Sequence, residues 1–182
     1  MTVDPRDELT EHLGALRAFA LSLTRNAATA DDLVQDTLVK AWTNIESFKP
    51  GSNMRAWLFT ILRNTFYSLR RKRKREVEDA DGSLSLALAS KPDHDGRLNM
   101  RDFMQAFNQL PDTQREALVL VGAGGFSYEE AAATCDVAVG TIKSRVGRAR
   151  ATLAEMLQLN DDEAMELTDS VTAGIVGKQP AA

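Results

Sequence analysis

The chain has 182 residues, room for one domain or two small ones, and its 43% hydrophobic content is sufficient for packed cores. An aromatic content of 6% with little strand-like alternation excludes a mainly β protein, and a single cysteine, Cys135, excludes an internal disulfide or a cysteine-built zinc site. The net charge of −4 divides unevenly: residues 1–75 are net +5, 76–100 net −4, 101–154 neutral and 155–182 net −5. Positive charge is therefore local, and binding follows the local field. The start, MTVDPRDELTEHL, is too acidic and polar for a signal peptide, and no run reaches transmembrane length, so the cytoplasm is the expected compartment.

A first helical module is predicted over residues 8–75. Leu9, Leu13, Leu16, Ala20 and Leu23 recur at spacings of four and three, giving a core-facing helix that ends near Asn26. Thr29 and Asp32 fit a capping box for the next helix, with Leu33, Thr37, Leu38, Ala41, Trp42 and Ile45 as its apolar face. Asp32, Gln35, Asp36 and Val39 project off that face. Pro50 and Gly51 place a loop at 47–53. A third helix follows with Trp57, Leu58, Ile61, Leu62, Thr65 and Leu69 inward, and it ends in the basic run Arg70 to Arg75.

Residues 76–100 read as an acidic linker, apolar enough at Leu84, Leu86 and Leu88 to dock against something. Fully extended, 25 residues reach about 80 Å, or roughly two turns of B-DNA. A second module spans 101–156. Phe103, Ala106, Phe107 and Leu110 lie on a helix stopped by Pro111, then Thr113 and Glu116 cap a helix through Val121 that ends at Gly122 to Gly125.

Ser127 and Glu130 form a capping box, a turn runs through Cys135 to Gly140, and a last helix starts at about Thr141. Ile142, Val146, Ala149 and Leu153 make one buried stripe, while Lys143, Arg145, Arg148 and Arg150 lie off it with no acid among them. That combination describes a helix-turn-helix offering a recognition helix to DNA. The acidic tail, 157–182, is expected to be partly disordered. An enzyme is disfavoured: His12 and His94 are isolated, and neither a Gly-rich phosphate loop nor a carboxylate cluster of ligand spacing is present. The fold class is all-α, two small helical domains joined by an acidic flexible linker.

Three blocks stand in order: DDLVQDTLVKAW (31–42), FKPGSNMRAWLFTILRNTFYSLRRKRK (48–74), and LPDTQREALVL followed by FSYEEAAATCDVAVGTIKSRVGRARATL (110–120 and 126–153). The set resembles the extracytoplasmic-function (ECF) class of bacterial sigma factors, which keep only the region-2 and region-4 domains. The middle block and the acidic tail are similar to the EcfG-like group of the alphaproteobacterial general stress response. The resemblance implies that Asp32, Gln35, Asp36 and Val39 dock on the β′ clamp of core RNA polymerase, and that the second module meets the β flap.

It further implies that Lys49, Asn53, Arg55, Arg63, Asn64 and Tyr67 read and melt the −10 element around a flipped base, with Arg70, Arg71 and Arg73 on phosphates. Trp57 belongs to the core. Thr141, Lys143, Ser144, Gly147, Arg148 and Arg150 would meet a −35 element of GGAAC type, Lys143 and Arg148 reading bases and Arg145 serving phosphates or packing. Lys143 stands where the class often has arginine, and Gly147 where a larger side chain can occur. An anti-sigma factor is the implied regulator; no cofactor, metal or membrane is implied. Two other readings compete. A sigma-like decoy that binds an anti-sigma factor without DNA should lose the cations this chain keeps, and a plain repressor leaves residues 29–75 unexplained.

Overall fold

The computed structural model describes residues 5–79 and 100–160, and every regular element among them is helical. The expectations for Leu84, Leu86 and Leu88, for His94 and for the acidic tail beyond residue 160 lie outside the described residues. A turn of helix, α1 (Pro5–Glu8), and a 3-10 turn lead into α2 (Leu13–Thr24), α3 (Ala27–Thr43) and α4 (Met54–Asp79). The second module comprises α5 (Met100–Gln109), α6 (Asp112–Leu118), α7 (Tyr128–Cys135) and α8 (Val139–Leu157).

In the first module Leu16, Phe19, Ala20, Leu23, Leu33, Leu58 and Leu62 are buried where α2, α3 and α4 pack together. Arg25 closes α2 in the left-handed region at φ 57°, its N–H bonded to the Leu21 carbonyl at 2.9 Å. Asn26 then caps α3, its side chain accepting the Thr29 N–H at 2.9 Å, so the expected Thr29–Asp32 box does not form and Asp32 stays exposed. Asn53 Oδ1 accepts the Ala56 N–H at 3.1 Å and opens α4.

Three residues expected inside are exposed: Leu13, Trp42 and Leu69. The buried stripe of α3 is Ala30, Leu33, Val34, Thr37 and Ala41, and Trp42 lies one step of about 100° beyond it. The Arg6 guanidinium lies 5.1 Å from its ring centroid, over one face only, and leaves Trp42 exposed. Every residue of α4 from Ser68 to Glu76 is exposed, so this helix outruns its neighbours and leaves Leu69 nothing to pack on. Leu13 opens α2, ahead of that helix's buried stripe. Trp57 is half-buried and packs its ring 5.3 Å from Phe48.

In the second module the expected Thr113–Glu116 cap is also absent: α6 starts behind Pro111 with no side-chain cap, and Glu116 points into the protein. The chain then passes through a π turn, Val119–Ala123. A Cβ on Gly124 would collide with the Leu120 carbonyl, and Gly125 takes φ +64°, which glycine adopts without penalty. The Ser127–Glu130 capping box is present in both directions, at 3.1 and 2.9 Å. Helix α8 begins at Val139, two residues ahead of the expected start, and its predicted stripe of Ile142, Val146, Ala149 and Leu153 is buried.

The modules pack against one another. Phe59 of α4 stacks on Phe19 at 4.8 Å and meets Phe126, just past the glycine turn, at 5.1 Å. Arg115 is wholly buried; Nη1 donates to the Leu110 carbonyl at 2.8 Å, Nη2 to Asp112 at 2.6 Å, and Nε to the Ser22 carbonyl across the seam. Glu116, equally buried, accepts from Arg63 Nε at 2.7 Å and Tyr67 hydroxyl at 3.3 Å. Asp112 also pairs with Arg25 at 3.0 Å and with Arg70.

Burial, reinforced by the Glu116 charge, pushes the Tyr67 hydroxyl up from 10.0 to about 12 and the Cys135 thiol up from 9.0 to about 12. Burial raises the Glu116 carboxyl as well, against the pull of Arg63. Burial, helped by Arg25, lowers Arg115 to about 10, so it remains a cation at neutral pH.

Two outcomes follow from this packing. Gly124→Ala should cost about 1–3 kcal/mol in chemical denaturation, because backbone must shift to admit the methyl group. Tyr67 and Cys135 are acids held neutral by the fold, so their stabilisation is intact below about pH 9 and is lost as pH rises toward about 12. Melting temperature should fall across that window, and Tyr67→Phe with Cys135→Ala should flatten the fall. An equally steep fall in the double variant would clear both groups.

Candidate nucleic-acid and polymerase surfaces

Helix α3 turns one strip outward. Asp32, Gln35, Asp36 and Val39 are all exposed, and their spacing of three, one and three places them along one side of the helix. Val39 is 60% exposed and Trp42, three residues on, is 57% exposed, so the strip ends in uncovered apolar surface. Asp31 is not part of it, being paired with Arg17 at 2.6 Å. Trp42 is the residue that periodicity assigned to the wrong side.

The residues expected at the −10 element divide between two sides of α4. On the side toward α3, Asn64 joins Lys40, Asn44, Ser47, Trp57 and Ser68 around a cleft of about 330 Å³. Lys40 Nζ donates to Thr65 Oγ1 there at 3.0 Å. On the other side, Arg55, Arg63 and Tyr67 are half-buried against the second module. Arg55 lies 5.6 Å from the Phe59 and Phe126 rings, and Arg63 and Tyr67 share Glu116. Asn53, having capped α4 with its oxygen, donates through Nδ2 to Glu130 Oε1 at 3.2 Å.

One helix cap is thus tied to another. Lys49, Arg70, Arg71 and Arg73 are exposed, and Arg70 and Arg73 flank a second cleft of about 470 Å³ with Arg25 and Asp112. Arg71 donates to Ser68 Oγ at 3.2 Å.

On α8, Lys143, Ser144, Gly147 and Arg148 are exposed, while Thr141 and Arg150 are half-buried. Lys143 sits 5.7 Å over the Tyr128 ring, which braces it from α7. No atom lies within 4 Å of a Cβ built on Gly147, so this position has room for a larger side chain. Arg145 turns inward, half-buried, and its charge acts on Glu116. The sequence reading passed over Arg115 and took Glu116 for a helix cap. Their signal was position: a charged pair directly ahead of Ala117, Leu118, Val119 and Leu120, where every residue from Arg115 to Leu120 is buried.

Among the described residues no group of His, Cys, Asp and Glu is placed to hold a metal ion, and no helix is long and apolar enough to cross a membrane. The sigma-70 region 2 family matches residues 9–76 and the sigma-70 region 4 family residues 100–153. The ECF RNA polymerase sigma factor EcfG of Rhodopseudomonas palustris is 55% identical over 177 residues, covering 97% of this chain and 98% of that one. The ECF sigma factor SigM of Bacillus subtilis is 31% identical, covering 89% and 100%.

Among solved structures, the sigma factor RpoE of Bartonella quintana, in complex with the anti-sigma factor NepR, superposes with a TM-score of 0.73 at 56% identity, covering 85% of this chain and 96% of that one. Helices α2, α3 and most of α4 lie within the region-2 match and most of α5–α8 within the region-4 match, and with both regions present and near full-length likeness to EcfG, the chain belongs to the ECF sigma factors.

Proposed function

We propose that this ECF sigma factor, which binds core RNA polymerase and directs transcription initiation, serves a general stress response and does so through three surfaces. The α3 strip of Asp32, Gln35, Asp36 and Val39, extended by Trp42, docks on the β′ clamp. Helix α4 and the loop before it read the −10 strand, the α3–α4 cleft beside Asn64 receiving an extruded base and Arg71 and Arg73 holding phosphates. Helix α8 enters the major groove of a GGAAC-type −35 element with Lys143 and Arg148 on bases, and the region-4 domain meets the β flap.

The observation that carries this reading is the side chains that packing leaves uncovered. Asp32, Gln35, Asp36 and Val39 on α3 and Lys143, Ser144 and Arg148 on α8 face outward, acidic with apolar on one helix and cationic on the other. An acidic strip ending in Val39 and Trp42 suits a protein partner, since a solvated helix face gains nothing from uncovered apolar side chains. A decoy would have no use for the cations of α4 and α8. An anti-sigma protein is the proposed regulator, as for the RpoE relative in complex with NepR. It would cover residues 32–39 and the back of the region-4 domain in the cytoplasm, where polymerase works.

Run-off transcription with purified core polymerase, on promoters with and without the GGAAC-type element, tests the assignment. Transcription confined to templates carrying the element is expected; equal transcription from both would defeat the −35 assignment. Lysine at both Asp32 and Asp36 should abolish the transcript while leaving the circular dichroism spectrum unchanged. Normal holoenzyme assembly by that variant would disprove the docking strip.

Arg148→Ala should cost about 1–3 kcal/mol of discrimination between −35 sequences. Alanine at Arg71 and Arg73 should instead weaken binding to every sequence and flatten its salt dependence. Sequence-selective loss from the second change would reverse these roles.

A further inference from the structure

The cleft of about 470 Å³ between the α2–α3 turn, α4 and the start of α6 holds more positive charge than its own residues settle. Arg25, Arg70 and Arg73 line it, and the carboxylate in its lining is that of Asp112. Asp112 is already shared. Arg25 pairs with it at 3.0 Å, Arg70 pairs with it too, and the buried Arg115 donates to it at 2.6 Å. One carboxylate cannot balance three guanidinium groups, so an excess of positive charge remains around it. That excess acts on the protein itself. Burial first, and then the charges of Arg25 and Arg70, lower the affinity of Arg115 for its proton.

The rest of the lining suits an anion larger than a single phosphate. Asn26 and Thr29 bring the N-terminal turn of α3, a helix of 17 residues, to the cleft, and its dipole favours negative charge at that end. Leu23 and Phe66 form an apolar wall, with the Arg70 guanidinium 5.8 Å from the Phe66 ring centroid. Arg70 and Arg73, three apart, share one side of α4, while Arg25 comes from the end of α2. Arginine presents a planar fork of donors that grips phosphate oxygens two at a time. The volume falls within the range of about 300–1,000 Å³ usual for small-ligand sites. A strand of nucleic acid is held along an open groove, whereas this cleft draws its cations from separate elements around one hollow.

We propose that this cleft binds a small ligand with adjacent phosphates, an inorganic diphosphate or a nucleoside diphosphate. Arg25, Arg70 and Arg73 are its phosphate contacts, and Leu23 and Phe66 are the apolar wall beside it. Such a ligand touches α2, α4 and α6 at one point, so binding raises the stability of the folded chain.

Calorimetric titration of the full chain with inorganic diphosphate, ADP, AMP and adenosine, at constant ionic strength, tests the site. One site is expected for diphosphate and for ADP, with AMP about tenfold weaker and adenosine silent. Tighter binding of ADP than of diphosphate marks the cleft as a nucleotide site, and the reverse order marks the inorganic anion. Arg25→Asn keeps a residue that tolerates the left-handed backbone and should weaken diphosphate binding about tenfold. Arg73→Gln, on the exposed stretch of α4 where folding has least at stake, should do the same. Lys72→Gln, in the same basic run but outside the lining, should leave the affinity unchanged.

Melting temperature should rise with diphosphate in the unsubstituted chain and rise less in Arg73→Gln. Silence of diphosphate at millimolar concentration, with no rise in melting temperature, would overturn the site. Equal weakening by Lys72→Gln would overturn it as well, since diffuse attraction to the basic end of α4 would then suffice. If diphosphate is silent while a single-stranded oligonucleotide loses affinity on Arg25→Asn, the cleft belongs to the DNA backbone instead.

Discussion

Two adjacent charged residues, Arg115 and Glu116, hold the modules together, and neither reaches solvent. Burying a charge is tolerable only when it is paired and hydrogen-bonded, and each is. Arg115 is held by the carbonyls of Ser22 and Leu110 and by Asp112, and Glu116 by Arg63 and Tyr67. Removing one member of such a pair typically costs about 3–5 kcal/mol, because the partner stays behind as an uncompensated charge. Replacing a whole pair with apolar side chains is often neutral. The pair therefore specifies how the modules meet more than how stable each one is.

The hydrophobic part of the seam is less selective. Phe59 stacks on Phe19 within its module and leans on Phe126 from the other, so one ring belongs to both cores. Phe126 arrives there because Gly124 and Gly125 close the π turn after α6. Apolar contact brings α4 and the region-4 domain together, and the carboxylates decide which face of α4 is covered. The outcome is a helix with two fates, one side open to the α3 cleft and one side closed by region 4.

Local order was legible in the sequence where the cause was local. The Ser127–Glu130 box and the α8 stripe are patterns of three and four residues, and both stand in the structure. The exposed strip on α3 was legible for the same reason. The same rule misled at Thr113–Glu116, where spacing fits a capping box but Arg63, 53 residues away, takes the carboxylate. Asn26 took the cap from Thr29 and Asp32 because the left-handed Arg25 starts α3 earlier than the apolar pattern suggested. Trp42 was misplaced because its size reads as core, although the helix had already spent its inward face on Ala41. None of the seam was legible, since its contacts join residues separated by 49 to 93 positions and leave no period behind.

The charge distribution gains its meaning only with the fold. Residues 101–154 are neutral in sum, yet that neutrality is spatially divided. Asp112, Glu116 and Glu130 face α4, while Lys143 and Arg148 face outward on α8. The region-4 domain is acidic toward α4 and basic on the outward side of α8. Of these carboxylates, Asp112 pairs with Arg25 and Arg70 and Glu116 with Arg63, whereas Glu130 accepts across the seam from the neutral Asn53 amide.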